Sequence, residues 1–133
     1  MVWYCDSSAL MRFVVTEVET EALRRAVDGL ELTTSELSVT EVSRGAMRRG
    51  EEGLAAARRA LGTVGLVSID STILEAAADL RPETLRTLDA IHLATALALG
   101  KDCEGMITYD TRMADTAREL GLRVEAPGQA ATS

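Results

Sequence analysis

Asp6, Glu41, Asp89 and Asp110 are acidic residues placed where the chain is otherwise expected to be apolar. Asp6 ends the run Val2-Trp3-Tyr4-Cys5, and Asp110 ends Met106-Ile107-Thr108-Tyr109. Asp89 lies inside the run from Leu88 to Leu99, whose members are nearly all hydrophobic. An unpaired buried carboxylate costs several kcal/mol, so such groups are protonated, paired or bound to metal. No Lys lies close in sequence to any of the four, and Arg112 is taken as the nearby Arg. If the four converge, a divalent cation is the natural counter-charge, and the chemistry is metal-assisted attack on a phosphate-bearing substrate.

Each acid also has a local reading. Asp6 and Asp110 both precede a helix, where Asp is a favoured N-cap, and capping weighs as much as catalysis for either one alone. Ser38-x-x-Glu41 matches a capping box, but so does Thr33-x-x-Glu36. A helix begun at the second box leaves Glu41 one turn inside and free to face a crevice. Asp89 shares a helix face with His92 and Ala96, and a start at Thr87 puts it in the first turn, where the helix dipole favours an acid. That still leaves an acid in an apolar wall. His92, the chain's one histidine, lies one turn after Asp89 and could orient it by a hydrogen bond; a satisfied structural role is the simpler reading.

Ser7 and Thr108 are hydroxyls able to steady the acids from behind, although turn and cap roles suit Ser7, Ser8 and Thr108 equally. Arg112 could touch phosphate or form a surface ion pair. Arg44, Arg48, Arg49, Arg58 and Arg59 concentrate between 44 and 59; a solvated face is the default for such a cluster, and guidance of RNA is the alternative.

The elements that must position these residues alternate. Strand signals occur at 2–5, around 30–33, at 64–69, 106–109 and 122–125. A short helix follows Ser7-Ser8, and a second uses Val18, Ala22, Leu23, Ala26, Val27 and Leu30 at the helical period. Further helices are expected over about 36–48 and 51–61, separated by Gly50. Others run from a Ser71 cap to about Leu80, from Thr84 or Thr87 to near Gly100, and over about 111–120 before Gly121. Alternation of this kind argues for a parallel sheet covered on both faces. In such a sheet ligands bind beyond the carboxyl ends of the strands, where Asp6 and Asp110 both fall.

At 133 residues the chain fits one domain. Residues 1–126 are expected to form it, with a frayed tail at 127–133. Its 47% hydrophobic and 26% charged content is that of a globular protein. No apolar stretch is long enough to span a bilayer and no basic segment precedes Val2, so a soluble cytoplasmic protein without a membrane partner is expected. Cys5 in a strand and Cys103 in a loop, with no C-x-x-C spacing, read as reduced thiols. A net charge of −7 argues against a nucleic-acid-coating surface. Of the 14 basic residues 13 are Arg, which suits bidentate phosphate contacts, though a GC-rich genome explains the ratio as well.

Taken together, Asp6-Ser7-Ser8, Glu41, Leu88-Asp89-Ala90-Ile91-His92-Leu93-Ala94 and Thr108-Tyr109-Asp110 resemble the PIN-domain family. In length and compactness the chain is similar to its VapC-type toxins of bacterial toxin–antitoxin pairs, from Val2 to about Val124. The resemblance implies a three-layer α/β/α sandwich around a parallel sheet, with Asp6, Glu41, Asp89 and Asp110 as the acidic quartet. It also implies dependence on Mg²⁺ or Mn²⁺ and endonucleolytic cleavage of structured RNA such as tRNA or rRNA. A homodimer is implied as well, silenced by a small antitoxin that often inserts a basic side chain into the acidic pocket. Where many members carry a further acid or Asn after the last motif, this chain has Thr111 and Arg112.

Mg²⁺ keeps several waters and is usually held by one or two carboxylates. The expected reaction is in-line hydrolysis of an RNA phosphodiester by a metal-activated water, with Asp6, Asp89 and Asp110 as direct or water-mediated ligands and Glu41 acting through water. Two other folds with early acids fit poorly. A phosphatase of the haloacid-dehalogenase type needs a second Asp where Ser8 stands, and a receiver domain needs a Lys after a late strand, whereas Lys101 precedes Met106–Tyr109. A degenerate PIN domain that only binds would have lost one of the acids, and none is lost.

Overall fold

The computed structural model describes residues 1–130. Five strands, β1 (Val2–Cys5), β2 (Leu32–Ser35), β3 (Gly65–Val67), β4 (Cys103–Ile107) and β5 (Val124–Glu125), form one sheet in the order β3-β2-β1-β4-β5. Every pairing is parallel. The helices are α1 (Ser7–Val14), α2 (Thr20–Val27), α3 (Leu37–Ala46), α4 (Gly50–Leu61), α5 (Ser71–Asp79), α6 (Thr87–Ala98) and α7 (Thr111–Glu119).

Alternation along the two central strands sends side chains to opposite faces. Cys5 and Ile107 pack with Ala9, Leu10, Val42, Ala46 and Ala57 beneath α1, α3 and α4. Tyr4 and Met106 pack with Leu93, Ala96, Met113 and Ala117 beneath α6 and α7. The result is the expected α/β/α sandwich. The order of the strands reverses at β1, so β1 and β4, which lead into α1 and α7, lie side by side and bound the crevice typical of such sheets.

The element borders differ from the expectations where the hydrophobic signal misleads. β2 lies two residues later than expected because its buried side chains are Thr33, Thr34 and Ser35, which read as polar. Their hydroxyls are spent locally: Thr34 donates to Cys5 O at 2.7 Å and Thr33 to Gly65 O at 3.1 Å. Neither capping box forms, since Thr33 is inside the strand and Ser38 Oγ pairs with Thr34 Oγ1 at 2.7 Å. α2 begins at Thr20, leaving Val18 in solvent at 92% exposure. The cap of α5 is Asp70, whose Oδ1 accepts from Ile73 N at 2.9 Å, so Ser71 is the first helical residue instead.

β4 starts at Cys103, placing that thiol in the strand and not in a loop, and it ends at Ile107. Thr108 prolongs the pairing by donating its N–H to Glu125 O. Pro127, where a tail was expected to begin, accepts from Tyr109 Oη at 2.7 Å, and Gln129 N donates to Ala126 O. The end of that expected tail, 131–133, lies outside the described residues. Among the described residues no helix is long and apolar enough to cross a membrane.

Gly105, in β4, sits where nothing larger fits. A Cβ there would lie 2.6 Å from Arg123 O and 2.7 Å from Trp3 Cζ3. Gly105→Ala should force the β4–β5 edge apart and cost about 1–3 kcal/mol, read as a lower midpoint in chemical or thermal denaturation.

Candidate active site

Three helices point their N-termini at the carboxyl edge of the sheet, and each carries one acid there. Asp6 follows β1 and caps α1, its Oδ1 accepting from Ala9 N at 3.0 Å and from Ser8 Oγ at 2.6 Å. Its Oδ2 accepts from Thr108 Oγ1 at 2.5 Å. Asp110 caps α7 through Oδ1, which accepts from Arg112 N and Met113 N at 2.9 and 3.2 Å. Asp89 stands in the first turn of α6. The capping readings and the crevice readings of Asp6 and Asp110 are therefore compatible: one geometry serves both, because a cap fixes the carboxylate at the helix end.

Thr108 joins two of these acids. Its hydroxyl donates to Asp6 and accepts from Asp110 N at 3.1 Å. Ser8 completes the frame, accepting from Tyr109 N at 2.9 Å while donating to Asp6. The hydroxyl beside Asp6 is thus Ser8, where Ser7 was expected, because Ser8 is the residue of the first helical turn that faces the β4 extension.

Asp6 is almost wholly buried, and burial pushes its carboxyl above the ordinary range, against the pull of the Ser8, Thr108 and Ala9 donors and of His92. Asp89 is pushed up too, first by desolvation and then by the charge of Asp110, with Asp6 adding a smaller share; Arg86 and His92 pull the other way. Asp89 therefore feels the charge of two acids carried by other elements. Arg86 is a cation that sequence reasoning passed over, although it stands only three residues before Asp89. It lines, with Leu85, Asp89, Arg112 and Asp115, a crevice of about 330 Å³.

Glu41 is held by a different contact. It lies one turn inside α3 with its side chain 23% exposed, and its Oε1 is 2.6 Å from His92 Nε2. The other ring nitrogen, Nδ1, is 2.6 Å from Tyr4 Oη. His92 makes no hydrogen bond to Asp89; its ring, buried to 1% exposure, bridges Tyr4 and Glu41, so both nitrogens are satisfied, in line with the simpler reading of this residue. Tyr4 was not singled out from the sequence. Its partner is 88 residues away, and nothing in a strand's alternation marks that pairing.

The donor set suits a hard cation. Among the described residues no three acidic, His or Cys side chains stand close enough to enclose an ion by themselves. Mg²⁺ does not require that, since it is held by one or two carboxylates with water and substrate phosphate completing the shell. The Asp89 carboxyl is raised first by desolvation and then by the charge of Asp110, and added positive charge beside it would favour its ionised form.

The domain is thus a parallel-sheet nuclease-like scaffold with acids gathered at its switch point. Residues 3–119 match the family model described as the PIN domain. The chain is 46% identical to the ribonuclease VapC46 of Mycobacterium tuberculosis, covering 93% of this chain and 96% of that one. It is 39% identical to ribonuclease VapC35 of the same organism, over 96% and 98% of the two chains. The chain belongs to the PIN-domain family, in the VapC ribonuclease branch that these relatives represent. Among solved structures, a toxin–antitoxin complex from Klebsiella pneumoniae superposes with a TM-score of 0.67 at 26% identity, covering 83% of this chain and 88% of that one. The VapBC2 complex from Rickettsia felis, bound to a promoter DNA fragment, shares the fold with a TM-score of 0.74 at 12% identity over 94% and 98% of the chains.

The raised Asp89 carboxyl has a stability consequence with a definite sign. Its folded value lies above its unfolded value, so it favours folding below the ordinary carboxylate range and disfavours it as pH rises through the folded value. Asp89→Asn should therefore raise the thermal midpoint of the metal-free protein at neutral pH, by about one or two degrees given its partial exposure. The gain should vanish as pH falls below the ordinary Asp value. A midpoint lowered at neutral pH would contradict the repulsion.

Proposed function

We propose that this protein is a Mg²⁺-dependent endoribonuclease toxin, with Mn²⁺ as a working substitute, that cuts structured RNA of the tRNA or rRNA kind and is held silent by a cognate antitoxin. The observation that carries this reading is that Thr108 ties Asp6 to the Asp110 turn while Asp89, in the first turn of α6, feels the charge of both, with Glu41 paired to His92. A divalent cation bound there would polarise the scissile phosphate and acidify water. Asp89 and Asp110 would be the principal ligands, and Asp6 would contribute from its buried frame. Glu41 would hold and orient the attacking water. Arg112 and Arg86, flanking Asp89, would receive the phosphates on either side of the cut, as guanidinium groups do well. Thr108 and Ser8 keep Asp6 and the Asp110 turn in register, while Ser7 lies at the helix start beside them.

The antitoxin would present an Arg or Lys to the same acids. Complementarity favours this, since a chain of net charge −7 with its acids gathered at one edge draws a basic segment. A homodimer is proposed alongside, from the exposed Val39, Met47 and Leu66 together with the family resemblance.

Purified protein incubated with total RNA should cleave with Mg²⁺ and not with EDTA. Asp89→Asn and Asp110→Asn should each lower turnover by about a hundredfold or more. Both variants should stay folded, because Asn is as good a cap as Asp at position 110. Cleavage of equal rate in EDTA, or wild-type turnover in Asp89→Asn at saturating Mg²⁺, would sink this reading.

A further inference from the structure

We infer that His92 is a positioning residue for the reaction, carrying the fixed location of Tyr4 in the central strand across the molecule to the carboxylate of Glu41. The inference deepens the reading above and rests on it, since it takes Glu41 to work at the acidic edge.

Three elements meet in this contact. Tyr4 belongs to β1, which is flanked by β2 and β4 and is the most enclosed strand of the sheet. Its side chain is fully buried, and its ring meets the imidazole edge-on, with centroids 5.8 Å apart and planes at 71°. His92 sits in the middle of α6 and has no solvent to turn towards. Glu41, by contrast, hangs from α3 on a long side chain that is partly in water. Left to itself such a side chain would sample several rotamers, and fixing it costs entropy. A donor that cannot move, 2.6 Å from Oε1, selects one of them.

For an ionised Glu41 and a neutral ring, a single tautomer satisfies both contacts. An ionised carboxylate only accepts, so Nε2 must donate to Glu41. In the neutral ring Nδ1 then accepts, and the Tyr4 hydroxyl donates to it. A histidine needed only to fill the core could satisfy itself on nearby backbone. This one spends both nitrogens on side chains from two other elements, Tyr4 of β1 and Glu41 of α3.

The test combines four variants, each measured for RNA cleavage, for Mn²⁺ affinity by titration and for thermal midpoint. His92→Ala should lower kcat and weaken Mn²⁺ binding, each by about tenfold, with KM for RNA within about twofold. His92→Gln places an amide N–H near the position of Nε2 and should restore kcat to within about threefold of wild type. Tyr4→Phe keeps the ring and removes the hydroxyl, and should fall between the two. Should His92→Ala not fold, His92→Gln and Tyr4→Phe carry the comparison. Glu41→Gln separates the two ideas. If it cleaves like wild type, the catalytic reading of Glu41 falls and this inference with it. If it is inactive while His92→Ala and Tyr4→Phe keep wild-type kcat, only the inference falls. Losses that follow the thermal midpoint and disappear on cooling would assign His92 a structural role and also overturn it. Because His92 is the only histidine, its ring nitrogens can be read directly by ¹⁵N NMR. Nε2 should be protonated in the metal-free protein, and an unprotonated Nε2 would contradict the proposed donor.

Discussion

The buried carboxylate of Asp6 is the constraint on which the site depends. A charge that deep is tolerated only with donors on it, and here they come from three places: the α1 backbone at Ala9, the α1 side chain of Ser8, and Thr108 beyond β4. Satisfying one acid therefore locks β1, α1 and the β4 extension together at the carboxyl edge of the sheet. Hydrogen bonds to a charged group contribute about 1.5–3 kcal/mol each, and burial still holds the Asp6 carboxyl above its ordinary range. The frame is stable and under electrostatic load at once, as expected where a sequence keeps an acid for chemistry instead of packing.

The same frame explains why the other acids lie where they do. Thr108 accepts from Asp110 N and so sets the start of α7, whose cap is Asp110 itself. α6 brings Asp89 alongside through its packing of Leu93 and Ala96 against Tyr4, Met106 and Met113. The apolar core on that face and the acidic edge are consequently one construction: the residues between Asp89 and Ala96 fix the helix that delivers the acid. The opposite face delivers Glu41, as α3 packs Val42 and Ala46 against Leu10 and Ala57. His92 of α6, bonded to Tyr4 of β1 and Glu41 of α3, is the contact that joins the two deliveries.

Much of this was legible in the sequence. The five strands, the parallel sandwich and the four acids follow from alternation, helix periodicity and acids interrupting apolar runs, all of them local patterns. Reading failed where local chemistry is ambiguous. Buried Thr33, Thr34 and Ser35 look like loop residues, so β2 was placed two positions early. Two capping-box matches around Glu36 and Glu41 were both empty, because the Thr33 hydroxyl is spent on Gly65 O of the neighbouring strand and the Ser38 hydroxyl on Thr34. Arg86 was missed as a neighbour of Asp89 although it lies one turn before it.

What the sequence determined by itself is the list of acids and the elements that end in them, because caps, periods and apolar runs are written within a few residues. Which residues act on those acids was decided only by the tertiary structure. Ser8 instead of Ser7, Thr108 bridging Asp6 and Asp110 N, and His92 turned to Glu41 and Tyr4 all depend on contacts spanning 51 to 102 residues. A helix period can say that His92 and Asp89 share a face. It cannot say that a buried tyrosine of the central strand lies within hydrogen-bonding distance, and that proximity is what turns the ring towards Glu41.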